Sequence, residues 1–95
     1  MHLLTTTSTN LDEIADPAVL ARRVVALAEN SSVLRVKGFA AVAGKPMRLL
    51  LQAVGRRVSQ HYDRPWAATE AREGRLVVIG LRGLDRVAIA RALTG

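Results

Sequence analysis

The stretch from Gly38 to Pro46 holds the closest approach to a phosphate-binding motif in the sequence. A Walker A loop has four residues between its two glycines and a serine or threonine after the lysine, where that hydroxyl binds Mg²⁺. Here five residues separate Gly38 from Gly44, and Pro46 follows Lys45. The residues from Met47 onward alternate like a strand, whereas a phosphate loop must open a helix. The stretch therefore predicts a hairpin turn rather than a nucleotide site.

Residues that bind metals or transfer protons are few. The chain has no cysteine, which excludes disulfides, thiolate metal sites and thiol nucleophiles. His61 and Asp63 would share one face of a strand, so a paired site stays open beside the simpler interpretation of a lone surface histidine. His2 stands near the start of the chain, and Ser59 lacks the base and orienting group that a nucleophile needs. The sequence predicts no catalytic, cofactor-binding or metal site.

The net charge points to a partner. The chain carries 14 lysines and arginines against 8 aspartates and glutamates, a formal net charge of +6. This balance favours nucleic acid, an anionic membrane or an acidic protein surface as a partner. The alternative is a solvated surface that only keeps the protein soluble.

Length and composition set the domain organisation. The 95 residues, 49% of them hydrophobic, are enough for one core and predict a single domain over residues 1–95. No run approaches the roughly 18 apolar residues of a membrane span, and the first ten residues lack the regions of a secretory signal. We therefore expect a cytoplasmic protein without membrane contact.

Periodicity and capping residues predict two helices and five strands. Asp16 and Pro17 are suited to cap and begin a helix that Asn30 would end in the left-handed conformation. Asp85 caps a second, final helix, with Leu84 and Ile89 spaced as a hydrophobic staple. Strand patterns cover residues 3–8, 33–42, 47–54, 58–62 and 76–81, the last a continuous apolar run of the buried kind. The order β-α-β-β-β-β-α predicts an α+β fold, an antiparallel or mixed sheet of four to five strands with helices packed on one face.

The second and third strands form a hairpin whose two faces differ. With Val42 opposite Met47, one face is a core face, formed by Leu34, Val36, Gly38, Ala40, Met47, Leu49, Leu51 and Ala53. The other face is mixed and gathers Arg35, Lys37, Phe39, Arg48, Leu50, Gln52 and Val54. We interpret it as a partner surface, with the candidates Arg35, Lys37, Phe39, Leu50 and Gln52. The alternative is that a third element, such as one of the helices, covers this face and the long side chains only pack across it.

RNA binding is the alternative function. Residues 37–42 (KGFAAV) fit the signature of the RNA-recognition motif at five positions. The signature has aromatic residues where this chain has Ala41 and Gly44, and stacking on such rings supplies much of single-strand affinity. Phe39 alone would have to provide it.

Four short motifs carry a family resemblance. They are residues 35–39 (RVKGF), 50–55 (LLQAVG), 63–66 (DRPW), and 75–80 with 83–85 (RLVVIG and GLD). In this order and spacing, from about residue 16 to residue 95, they resemble the C-terminal domain of the CobW family of GTPases and metallochaperones.

The resemblance implies a function. In that family a P-loop GTPase domain with a cysteine-containing metal motif precedes this domain, and neither is present here. The chain is then a non-catalytic accessory domain without a cofactor of its own, and GTP and a divalent metal belong to the full-length protein. The implied role is cobalt supply for cobalamin synthesis, by docking to a P-loop GTPase domain in cis or in trans or to a cobalt-inserting enzyme. His2 would be a remnant of a histidine-bearing linker.

Overall fold

The computed structural model describes residues 4–30 and 32–95, so that His2 lies outside the described residues. The element order is the predicted one, and the α+β fold is confirmed. The first strand continues beyond the expected end at Ser8, because its pairing with the last strand runs on to Leu11 opposite Gly74. The elements are β1 (Leu4–Leu11), α1 (Pro17–Ala28), β2 (Val33–Ala40), β3 (Met47–Val54), β4 (Arg57–Pro65), β5 (Gly74–Leu81) and α2 (Arg86–Thr94).

The five strands form one antiparallel sheet in the order β1-β5-β2-β3-β4. The hairpin of β2 and β3 has the predicted alignment, with Ala40 opposite Leu49 and Arg35 opposite Val54. The last strand, β5, inserts between β1 and β2 and pairs with both. The central position of β5 therefore depends on contacts between residues that are far apart in the sequence.

Both helices begin as their capping residues predict. The Ala18 N–H donates to Oδ1 of Asp16 at 2.9 Å, and the Val87 N–H donates to Oδ1 of Asp85 at 3.0 Å. The predicted left-handed end at Asn30 is wrong. Helix α1 ends at Ala28, its capping residue Glu29 has a right-handed conformation, and no described non-glycine residue has a positive φ. The Asn30 side chain instead accepts a hydrogen bond from the Ser32 N–H at 3.0 Å, which turns the chain toward β2.

One face of the sheet packs against both helices and forms the core. Helix α1 contributes Leu20, Val24 and Leu27, and α2 contributes Ile89 and Leu93. The sheet side of the core consists of Leu11, Val33, Val36, Ala40, Leu51, Ala53, Leu76 and Val78. The opposite face, which we call the open face, carries the other side chains of the strands.

Two predictions about burial need correction. Leu34 was expected on the core face, but an irregularity in the pairing of β2 with β5 between Val33 and Arg35 buries Val33 and leaves Leu34 38% exposed. Strand β5 was expected to be buried on both faces. Leu76 and Val78 on the core face are fully buried, whereas Val77 and Ile79 on the open face are partly buried and Leu81 is 41% exposed.

Candidate docking surface

The five predicted partner-surface residues lie together on the open face. Strand register brings them into neighbouring rows, in which Phe39 is opposite Leu50 and Lys37 is opposite Gln52. Arg35 follows in the next row, opposite Val54. Arg35, Lys37 and Gln52 are exposed. Because α1 and α2 both pack on the core face, neither helix covers these residues.

Apolar side chains from the central strands extend this surface. Val77 lies opposite Lys37, and Ile79 lies opposite Arg35, both on β5. Val54 is 58% exposed at the β3 end of the same row. Cationic and apolar side chains therefore alternate across the open face.

Two cations of this face are not neutralised by carboxylates of the chain, since among the described residues neither Arg35 nor Lys37 forms an ion pair. Asp63 is bound by Arg48, which donates from Nε to Oδ1 at 3.1 Å and from Nη2 to Oδ2 at 2.5 Å. This hydrogen bond is the main reason why the pKa of Asp63 lies below its ordinary value.

An aromatic corner closes one end of the face. The rings of Phe39 and Trp66 meet edge to face with their centroids 6.1 Å apart, and the Arg48 guanidinium lies 5.0 Å from the Phe39 centroid. Phe39 is thus partly occupied by contacts within the chain, and its ring is less available to a partner than its exposed neighbours are. Sequence reasoning did not place Trp66 on this face, since the connection to β5 folds back over the end of the sheet.

The connection between β4 and β5, which carries Trp66, is held in place by Arg72 and by Arg64. Arg72 lies 5.9 Å from the Trp66 ring, donates to the Val42 carbonyl oxygen at 2.8 Å and pairs with Glu13 at 3.0 Å. These contacts tie the connection to the segment between β1 and α1, through Glu13, and to the segment between β2 and β3, through Val42. The Trp66 Nε1 donor is buried and has no hydrogen-bond partner among the described groups.

Arg64, near the end of β4, forms a two-pronged ion pair with Glu70 in the same connection. Nη1 of Arg64 donates to Oε1 at 2.6 Å, and Nη2 donates to Oε2 at 2.9 Å. The Ala67 N–H also donates to Glu70, at 2.8 Å. These hydrogen bonds, that of Arg64 foremost, lower the pKa of Glu70 to about 2. Glu70 is therefore ionised at neutral pH and neutralises Arg64.

The histidine and serine candidates form no recognisable site. His61 is exposed on β4 opposite Leu50, and Ser59 lies opposite Gln52. The pairing of β3 with β4 shifts by one residue near Asp63, whose carboxylate is taken by Arg48. Within residues 4–30 and 32–95, no three histidine, aspartate or glutamate side chains are grouped to hold a metal ion. In the same ranges, no helix has the length and apolar character needed to cross a membrane.

Comparison with known proteins identifies the family. A family model described as "Cobalamin synthesis protein cobW C-terminal domain" matches residues 4–95. The chain belongs to the CobW C-terminal domain family. The match begins before residue 16, where the motif resemblance starts, and so includes β1.

Relatives of this CobW C-terminal domain are much longer proteins. It is 55% identical over 84 residues to a protein of Sinorhizobium named "Zinc chaperone CobW", and 52% identical over 84 residues to one of that name from Pseudomonas aeruginosa. Each alignment covers 88% of this chain but 24% and 22% of the relatives, so the chain spans about a quarter of their length.

The solved structures that the chain matches are also of longer proteins. The chain matches the Zn(II)-bound YjiA GTPase of E. coli with a TM-score of 0.77 and 32% identity, over 94% of this chain and 28% of that one. A Zn(II)-bound triple mutant of YjiA matches with a TM-score of 0.78 and 32% identity, over 97% of this chain and 30% of that one.

Proposed function

We propose that this domain binds the P-loop GTPase part of its protein family through the open face and has no catalytic activity of its own. The observation that carries the proposal is the exposure of Arg35 and Lys37 on a sheet face that neither helix covers. Apolar side chains such as Val54 and Ile79 lie beside them. A face of this kind fits an acidic protein surface, because charge complementarity steers association and buried apolar area supplies affinity.

The GTPase part is the partner that the comparisons favour. The curated relatives are about four times as long as the matched segment, and the structural relative YjiA is named a GTPase. In a protein of that length, the GTPase part is available to this domain as a partner. It would bind in cis within one chain or in trans between two chains.

The open face is less suited to RNA. Single-strand binding depends on aromatic faces that bases can stack on. Arg48 lies over the Phe39 ring and Trp66 meets it edge to face, so the one aromatic ring on the central strands is already in contact with protein groups.

In this proposal, GTP hydrolysis and metal binding belong to the rest of the protein. This chain has no cysteine and lacks Walker A spacing, so GTP hydrolysis and thiolate metal binding need other residues. Cobalt supply for cobalamin synthesis, through a cobalt-inserting enzyme as a second partner, stays a prediction from the resemblance. Two relatives are named zinc chaperones, so zinc is the metal to test beside cobalt. A protein that uses GTP and a divalent metal in this way would act in the cytoplasm.

Charge reversal on the open face tests the docking. We expect the double variant Arg35→Glu with Lys37→Glu to keep a melting temperature near the parent's. It should lose about 1–3 kcal/mol of affinity for the GTPase part of the Sinorhizobium relative, measured by calorimetry, because partner carboxylates then face like charges. The matched control is Arg22→Glu with Arg91→Glu, which changes the net charge equally at exposed positions on the two helices.

Four outcomes would contradict the proposal. Equal affinity of the parent and the open-face variant would show that the GTPase part binds elsewhere, and an equal loss of affinity in that variant and in the helix control would show that net charge alone accounts for the binding. Steeply salt-dependent binding of a uridine oligonucleotide, with no binding of the GTPase part, would favour the RNA alternative. Submicromolar binding of GTP, zinc or cobalt by the chain itself would show that it is more than an accessory domain.

A further inference from the structure

The two edge strands of the sheet differ in how they are protected. An edge strand exposes unpaired N–H and C=O groups, and proteins commonly protect them with charges, proline or a bulge. Strand β4 has all three, with Arg57, Asp63 and Arg64 as charges, Pro65 at its end, and an irregular pairing near Asp63. Gln60 also donates a side-chain hydrogen bond to the Pro17 carbonyl oxygen at 3.1 Å, which ties β4 to α1.

Strand β1, at the other edge, has none of these protections. Its eight residues, LTTTSTNL, include no charged residue, no proline and no glycine. Its pairing with β5 is unbroken from Leu4 opposite Leu81 to Leu11 opposite Gly74. Among the described residues β1 pairs with no other strand, so about 26 Å of regular edge is available.

Two arginines flank the middle of this edge, one on each face of the sheet. On the open face, Nη2 of Arg75 lies 3.4 Å from Oγ of Ser8. On the core face, Nε of Arg86 at the start of α2 lies 3.4 Å from Oγ1 of Thr7. Because Thr7 and Ser8 are neighbours, the two guanidinium groups lie at the same level of the strand.

Both arginines are available to carboxylates of a partner. Arg75 and Arg86 are exposed, and within the described part of the chain neither forms an ion pair. Their contacts with Ser8 and Thr7 are long hydrogen bonds to neutral hydroxyl groups, which are weaker than bonds to a carboxylate.

We propose that β1 binds an extended acidic segment of a partner as a sixth strand. Main-chain hydrogen bonds to the free edge would supply affinity, as in other cases of strand addition. Adjacent residues of a strand point to opposite faces, so two consecutive carboxylate residues would reach Arg75 above the sheet and Arg86 below it. A second copy of this chain is disfavoured as the occupant, because pairing β1 with β1 would bring the arginines of both copies together.

This surface adjoins the proposed docking face, because Arg75 lies opposite Phe39 on the open face. It depends on the β1 backbone, Arg75 and Arg86, whereas the docking face depends on Arg35 and Lys37. The peptide probe below and the Arg35 and Lys37 variant above therefore test different groups.

A peptide titration tests the strand addition. The probe is an eight-residue peptide of threonine and valine with two consecutive glutamates at its centre, and the comparison peptide has two lysines there. In a titration followed by the amide signals of the ¹⁵N-labelled chain, we expect the glutamate peptide to shift signals of Leu4–Leu11 and to slow hydrogen exchange at the free edge. The lysine peptide should have no such effect.

Charge reversal then tests the two arginines. Arg75→Glu with Arg86→Glu should weaken binding of the glutamate peptide by about tenfold or more and should allow the lysine peptide to bind. The control Arg22→Glu with Arg56→Glu changes the net charge equally at exposed positions away from β1. If the glutamate variant does not fold, Arg75→Gln with Arg86→Gln should still weaken binding of the glutamate peptide.

Any of four results would overturn the proposal. They are no shift in β1 at millimolar peptide, shifts confined to the Arg35 and Lys37 surface, equal binding of the two peptides, and dimerisation of the free chain through β1. The last result would assign the edge to a second copy.

Discussion

Gly38→Ala is the substitution for which the structure gives the clearest energetic expectation. Gly38 lies in the middle of β2, next to β5. A Cβ atom at this position would overlap the Arg75 carbonyl oxygen and would lie 2.9 Å from both the Arg75 carbonyl carbon and Leu76 Cα. The last two contacts are 0.5 Å inside the 3.4 Å at which ordinary van der Waals contact begins.

These neighbours are backbone atoms, so no side chain can rotate to relieve the overlap. The central strands β2 and β5 would have to separate, which would weaken the hydrogen bonds between them. Overpacking of a well-packed interior costs about 1–3 kcal/mol. We expect the upper part of this range, about 3 kcal/mol, since the clash is with backbone at the centre of the sheet. For a domain of this size, that loss corresponds to a melting temperature lower by about 12–24 °C.

Gly55→Ala is the matched control. Gly55 has φ of +56° in the turn between β3 and β4, and a Cβ there would meet nothing within 4 Å. Its cost should be about 1 kcal/mol, from the left-handed conformation alone. Urea unfolding of the parent and both variants measures the difference. If Gly38→Ala cost no more than Gly55→Ala, the close approach of β2 to β5 would not limit the residue at position 38.

Two further predictions concern the connection between β4 and β5. The pKa of Glu70 is about 2 in the folded protein, below its ordinary value of 4.5, so its contribution to stability is present above pH 4.5 and lost as pH falls toward 2. Glu70→Gln should therefore flatten the fall in melting temperature over this range, whereas parallel curves for the parent and the variant would refute the assignment. Trp66→Ala should cost about 2 kcal/mol in urea unfolding, because it removes the ring contact with Phe39 and the cation–π contact with Arg72. A change close to zero would show that the aromatic corner does not stabilise the domain.

Local features of the sequence predicted most of the elements correctly. Asp16 with Pro17 and Asp85 identified where the helices begin, since capping depends on residues within one turn. The alternation from Val33 to Val54 predicted the hairpin register, because a short connection leaves few alignments that bury one face. The same alternation grouped Arg35, Lys37, Phe39, Leu50 and Gln52 on one face, and the structure places them together. Their role in binding a partner stays a prediction.

The features that local patterns did not predict depend on distant neighbours. Leu34 follows the alternation of β2, yet the pairing irregularity with β5 turns it outward. The residues around Trp66 do not predict its position, since its contacts with Phe39 and Arg72 come from other parts of the chain.

The amino-acid sequence by itself determined the helices, the strands and the two-sided hairpin, because propensity, capping and alternation act over a few residues. Only the tertiary structure decided that β5 lies between β1 and β2 and that one face of the sheet stays open. An apolar run such as residues 76–81 is compatible with burial on one face or on both, and the number of covering helices decides between them. The position of Arg75 and Arg86 on either side of β1 was likewise set by tertiary structure, since those residues are more than 60 positions away from it in the chain.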